Sequence, residues 1–152
     1  PSFVSDHEGY RARLNALLAR ADIIKLSDDD LNWVFPGEAS LEDKAKEILA
    51  RGPKLFLLTE GGDGATAYLQ SGRHLHVPAQ KATVVDTVGA GDTFNAGCLA
   101  ALRGEGALHP GAIADLSEST LHHMLTIAAR AAAITVSRAG ANPPWTMELD
   151  DA

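Results

Sequence analysis

From Glu8 to Arg20 apolar residues recur every third or fourth position, so that Tyr10, Leu14, Leu17 and Leu18 share one side of an expected helix. The rhythm then tightens. "ADIIKLS" is a short apolar run suited to a buried strand, and "SDDDLNWVF" follows as a helix start, with Ser27 as its cap and three acids in the first turn. After Pro36-Gly37 a second helix is expected over "SLEDKAKEILARG", from Ser40 to a stop at Gly52, with Ser40 and Asp43 approximating a capping box. Leu55 to Leu58 predict a buried strand. Ala65 to Gln70 and Arg73 to Val77 flank Ser71-Gly72, a two-residue hairpin signal. Beyond "VVDT" a helix is expected from about Gly91 to Leu102, with Gly104 and Gly106 opening a loop. A long helix follows from near Ser119 to about Val136, its inner side carrying Leu121, Leu125, Ala128, Ala129 and Ala132. Strands alternating with helices predict an α/β fold: a mostly parallel sheet covered on both faces, with one antiparallel edge hairpin.

Composition narrows the field. With 152 residues, of which 45% are apolar, the chain can form one domain or half of a larger one. A net charge of −7 argues against a nucleic-acid surface, which needs a basic face. No apolar run approaches the roughly 20 residues of a membrane span, and no segment resembles a signal peptide. Cys98 is the sole cysteine, so a reducing, cytoplasmic setting is allowed. The chain starts with Pro1 rather than Met, which reads as a piece of a longer protein.

The chemistry concentrates at Gly89-Ala90-Gly91-Asp92, where a strand-like segment gives way to a helix. In open α/β sheets, ligands bind at the carboxyl ends of strands, where loops enter helices. Two glycines there allow several backbone N–H groups to face one point, and the helix behind adds partial positive charge. A carboxylate at that place is positioned to take a proton. Alternatively, Asp92 only caps the helix and the glycines only turn the chain. The third glycine of a dinucleotide fingerprint and the lysine of a Walker motif are both missing.

The longer string decides more. "DTVGAGDTF" resembles the signature of the ribokinase-like (PfkB) carbohydrate kinases, with Asp86, Thr87, Gly89, Ala90, Gly91, Asp92 and Phe94 at its fixed positions. The resemblance covers nearly the whole chain and implies a three-layer α/β/α sandwich. It implies Asp92 as the catalytic base and Gly89, Ala90 and Gly91 as the anion hole for the transferred phosphoryl group. That agrees with phosphoryl transfer, which depends on positioning and charge stabilisation. "TEGGDG" resembles the family's Thr-x-Gly-x-x-Gly, implying nucleotide contacts from Thr59, Gly61 and Gly64, although the same residues could form a simple turn. "KLSDDD" stands where the family has Asn-x-x-Glu. Ser27 replaces the Asn beside the nucleotide. Asp30 replaces the Glu that orders water around Mg²⁺, with a shorter reach; its carboxylate still suits that ion.

A helix end at "AAAITVSRAGANPPW" completes the set. The resemblance implies that this turn and the signature loop hold K⁺, through Asp86, Val88, Thr135, Arg138 and Gly140, with Pro144 standing where some members offer a hydroxyl. His74 and His76 share a strand face without a further ligand nearby, and His122-His123 suits a helix surface. Cys98 suits a core, and Trp33 and Trp145 read as packing residues.

The family's upstream sugar-binding region and the β lid, through which a homodimer would form, have no counterpart here. The expected product is therefore the C-terminal part of a kinase domain, residues 1–152, carrying the ATP site, anion hole and base, and by itself inactive. The expected reaction is transfer from ATP to a sugar hydroxyl. Fructose is favoured because "ADIIKLSDDDL", "TEGGDGATAY" and "SRAGANPPW" resemble bacterial fructokinases. A 2-keto-3-deoxygluconate kinase, a ribokinase or a nucleoside kinase is the alternative within the family. A catalytically silent nucleotide-binding module is the alternative outside enzymes.

Overall fold

Five of the seven helices seen among the described residues begin beside a side chain that accepts a hydrogen bond from the exposed first turn. In the computed structural model, which describes residues 4–150, the elements run in order α1 (His7–Leu18), β1 (Ile23–Ser27), α2 (Asp28–Val34), α3 (Leu41–Leu49), β2 (Leu55–Thr59), β3 (Ala65–Leu69), β4 (His74–Val77), α4 (Ala90–Gly104), α5 (Pro110–Ile113), α6 (Glu118–Val136) and α7 (Thr146–Asp150). Ser27 caps α2 by accepting from the Asp30 amide at 3.1 Å. Ser40 caps α3 by accepting from the Asp43 amide at 3.1 Å, and its hydroxyl donates to the Asp43 carboxylate at 2.8 Å. The second bond differs from a full capping box, in which the acidic side chain reaches the cap's own backbone N–H.

The sheet has the order β1-β2-β3-β4. β1 and β2 are parallel, from Ile23 opposite Leu55 to Ser27 opposite Thr59. β2–β3 and β3–β4 are antiparallel. The sheet is thus mixed, and its parallel share is smaller than the sequence suggested, because the hairpin supplies two of the four strands. The hairpin loop also differs from expectation. Leu69 N–H donates to Arg73 O at 2.8 Å and Gly72 N–H to Leu69 O at 2.9 Å. Three residues, Gln70 to Gly72, therefore form the loop, with Gly72 at φ 88° closing it in the left-handed region that a three-residue hairpin requires.

Both faces of β2 are covered, as its run of four buried residues demands. Leu55 and Leu57 pack with Phe94, Cys98 and Leu102 of α4 and Met124, Leu125 and Ala128 of α6. Phe56 and Leu58 face the other way, onto Leu31, Phe35, Ala45, Ile48 and Leu18. The result is the expected α/β/α layering. Burying each such Leu or Phe contributes about 1.5–3 kcal/mol, so the central strand anchors both layers. α4 and α6 approach closely at Gly97, where a Cβ would lie 2.8 Å from the Ala128 Cα.

Some expectations need correction. Leu17 is 64% exposed. α1 docks instead through Tyr10, edge-on to Trp33 at 5.6 Å, and Arg11, whose guanidinium lies 4.9 Å from the Trp33 ring centre and donates to its carbonyl at 3.0 Å. Trp33 is a packing residue, but Trp145 is 77% exposed, because the start of α7 leaves its ring beyond the core. α4 extends through Gly104, and α5 and α7 are too short for periodicity to show. Among the described residues no helix is long and apolar enough to cross a membrane.

Candidate active site

Parallel pairing of β1 and β2 sets Ser27 and Thr59 side by side at the carboxyl ends of their strands. Both are half-buried. The Ser27 hydroxyl is engaged as the α2 cap, while Asp28, Asp29 and Asp30 occupy that helix's first turn, favoured there by its dipole. Asp30 is exposed. Beyond Thr59 the chain turns tightly, with the Glu60 amide donating to Gly64 O at 2.9 Å. Gly61 is left-handed at φ 55° and has open space where a side chain would go. Gly64 is different: a Cβ there would fall 2.1 Å from Val77 O. That glycine accommodates a crossing of the protein's own backbone.

The signature loop enters α4 through Gly89, at φ 81° and ψ −3°, which serves as an N-cap without a capping side chain. A Cβ on Gly89 would lie 2.7 Å from Ala141 Cβ, so this glycine both permits the left-handed turn and admits the 138–143 segment. Ala90 N–H turns back to Thr87 O at 3.3 Å, and Thr93 N–H starts the helical ladder on Gly89 O at 2.9 Å. Between them, the Gly91 and Asp92 amides belong to the first turn, where no intrahelical acceptor exists. Asp92 is exposed, and its side chain supplies no cap for α4. Of the two readings of Asp92, a helix cap or a free carboxylate, this geometry favours the second. Gly91 has ordinary helical backbone, and a Cβ on it would meet only the Lys25 ammonium, at 2.9 Å. The motif reading of the sequence does not include Lys25. Strand alternation was the available signal, since Lys25 follows Ile23 on the face of β1 turned toward α4.

The residues assigned to a cation converge from two segments 54 positions apart. The Asp86 carboxylate accepts from Val88 N–H at 3.0 Å and from Gly140 N–H at 2.9 Å. These bonds, Val88 first, hold its pKa below the ordinary carboxylate value. Val136 O, at the end of α6, accepts from the Val85 and Asp86 amides at 2.7 and 3.2 Å, so the loop and the helix end are zipped together. Thr135 is buried, and its hydroxyl is turned back along α6, donating to Ala131 O at 2.9 Å. The Arg138 side chain is turned onto Glu148, whose pKa is lowered by that contact and then by the Trp145 N–H. Pro144 is half-buried nearby in sequence.

The histidines stay apart from this constellation. His76 Nδ1 lies 3.0 Å from Thr66 Oγ1, His74 is tilted against Tyr68 at 5.8 Å, and His122 and His123 are exposed. A groove of about 470 Å³ opens beside Leu75, Glu118, His122 and Thr126, and none of its lining residues belongs to the candidate site.

Fold and loop geometry together define an α/β/α scaffold with a glycine-rich loop entering the uncapped start of α4. Residues 2–147 match the pfkB family carbohydrate kinases, and the chain belongs to that family. It is 41% identical over 123 residues to a fructokinase of Rhizobium leguminosarum bv. trifolii, covering 81% of this chain and 37% of that protein. In structure it resembles aminoimidazole riboside kinase from Salmonella enterica, solved with aminoimidazole riboside and an ATP analog. The TM-score is 0.79 at 26% identity, covering 96% of this chain and 46% of that one. A fructokinase from Vibrio cholerae O395, solved with fructose, ADP and potassium ion, shares the fold at a TM-score of 0.73 and 23% identity, covering 90% of this chain and 41% of that one. The chain thus spans less than half the length of the relatives it matches.

Proposed function

We propose that this chain is the C-terminal, catalytic part of an ATP-dependent sugar kinase whose acceptor is fructose. The observation that carries the reading is the uncapped start of α4. Free amides and helix dipole face outward there, and the Asp92 carboxylate stands in the same turn without a capping role. Asp92 takes the proton of the attacking sugar hydroxyl as its oxygen adds to the γ-phosphorus. The ADP oxygen leaves, and the Gly89–Gly91 segment holds the phosphoryl oxygens through backbone N–H groups. Ser27, Thr59, Gly61 and Gly64, gathered at the carboxyl ends of β1 and β2, line the nucleotide.

The donors fit the ions this reading calls for. Mg²⁺ prefers carboxylate and water oxygens, and Asp30 offers an exposed carboxylate in the α2 turn; the ion's role is to neutralise phosphate charge. For K⁺, the reading calls on backbone carbonyls of the Asp86–Val88 and Thr135–Gly140 segments, which Asp86 ties together by accepting from the Val88 and Gly140 N–H groups. Fructose is favoured by the fructokinase relatives. The reading also includes a cytoplasmic setting and a homodimer formed through a lid outside this chain.

The test is ADP release by the complete protein over a panel of sugars, with Asp92→Asn as the key variant. A positioned base contributes about 10²–10⁴-fold, so kcat should fall by that order while ATP affinity holds. Activity within about threefold of the parent would remove Asp92 from the base role. ATP binding without transfer to any sugar would overturn the kinase reading.

A further inference from the structure

We propose that Lys25 is a phosphoryl-holding residue of this site, its ammonium clamping the transferred group from the strand side while the α4 amides hold it from the helix side. The assignment rests on the phosphotransfer reading above and adds a residue that neither the signature block nor the nucleotide loops include.

Three observations carry it. Lys25 lies on β1, opposite Leu57 in the parallel register, and shares the α4-facing side of the strand with Ile23. Its ammonium reaches the first turn of α4, where a Cβ on Gly91 would be 2.9 Å from Nζ and 4.0 Å from Cε. Third, the half-buried Lys25 forms no hydrogen bond or ion pair with another described residue. The other lysines withdrawn from solvent behave differently: the half-buried Lys54 pairs with Asp22, and the buried Lys44 donates to Asn32 Oδ1 at 2.6 Å and Gly37 O at 3.1 Å.

The electrostatics of this placement favour an anionic guest, with Asp92 in the same turn offsetting only part of the positive charge gathered there. A helix N-terminus carries about half a positive charge, so a cation beside it is repelled where a carboxylate would be attracted. Capping acids are plentiful in this chain, at Asp6 for α1 and in the first turns of α2 and α3. At α4 the first turn also carries an acid, Asp92, which is exposed and caps nothing, and the sheet delivers a lysine to the same helix start. Cation and amides converge on one point, and what satisfies both is a group with several anionic oxygens. Lysine also serves as a compact point charge that can follow a phosphoryl group as it moves between oxygens. Gly91 gains a purpose in the same step, because any side chain there would displace the ammonium.

The experiment uses the complete protein with Lys25→Met, which keeps the stem and deletes the charge, and Lys25→Gln as a second neutral variant in case one folds poorly. Two readouts separate this assignment from the reading beneath it. Calorimetric titration with inorganic phosphate in the presence of ADP should show at least tenfold weaker binding in both variants. In the sugar assay kcat should fall by about 10²–10³-fold, the order expected for one stabilising donor, with the sugar KM little changed. Lys25→Arg should recover part of both. The thermal midpoint of Lys25→Met should be unchanged or raised, which a structural lysine would not allow. Unaltered phosphate binding, or kcat within threefold of the parent, would overturn the assignment. A parent protein that phosphorylates no sugar, yet loses phosphate affinity on Lys25→Met, would sink the kinase reading and leave Lys25 as an anion-binding residue.

Discussion

Gly89 and Gly91 stand two residues apart in one motif, and the structure gives them opposite mechanical roles. Replacing Gly89 by Ala forces a β-carbon onto a left-handed residue and drives it 2.7 Å from Ala141 Cβ and 3.1 Å from Ala141 Cα. The conformation costs about 1–2 kcal/mol and the steric repair about 1–3 kcal/mol, so a loss of about 2–5 kcal/mol is expected. The displaced partner is backbone of the segment that Asp86 ties to the loop, so the damage should spread to that clamp. Gly91→Ala is the counterpart. Its backbone is helical, and the new methyl meets only the tip of a flexible lysine. A helical Gly→Ala change gains up to about 1 kcal/mol, less in a first turn. Stability should therefore hold or rise while phosphotransfer falls, because the ammonium is pushed from its post. Urea unfolding of both variants in the complete protein measures the contrast, with midpoints compared at constant m-value, alongside the ADP-release assay. If Gly91→Ala is as destabilising as Gly89→Ala, or if Gly89→Ala is neutral, the division of roles drawn here is wrong.

The Asp86 clamp predicts an acid-range effect. Its folded pKa lies below the ordinary value of 3.8, so its contribution is present above that value and fades as pH drops through the lower, folded one. The thermal midpoint of Asp86→Asn should thus trail the parent at pH 7 and converge with it in strong acid; a gap independent of pH would argue against the ionised clamp. Cys98 is buried and its thiol is pushed up to about 12 by desolvation, so a thiol reagent should modify its peptide only after unfolding, and rapid labelling of the native protein would contradict the packing described. Expressed alone, this stretch should self-associate, because β1 has no neighbour on its outer side among the described residues and Val84, Val85 and Val88 are 64%, 60% and 60% exposed. A monodisperse monomer by size-exclusion chromatography would refute that.

Much of this protein is legible in its sequence alone, and the reasons are local. Ser27, Ser40 and the Ser71-Gly72 turn signal act within a few residues of chain, and the apolar run Leu55–Leu58 has no burial option except a strand covered on both faces. The signature Asp86–Phe94 likewise carries its turn and helix start in its own glycines. What escaped the sequence depends on partners distant along the chain. Leu17 has helical spacing, yet α1 seats itself on Trp33 through Tyr10 and Arg11, and no periodicity reveals which face finds a partner. The reasons behind the glycines were also hidden. Gly64 yields to Val77, Gly89 to Ala141 and Gly91 to Lys25, and each of those neighbours is brought in by the sheet or by the helix ends. Asp86 could be placed in a motif, but its reach to Gly140 exists only because α4 and α6 pack side by side and return their ends to the same edge. Short-range sterics and hydrogen bonding set the elements. The approach of Lys25 to Gly91 was decided by packing, which no stretch of sequence contains by itself.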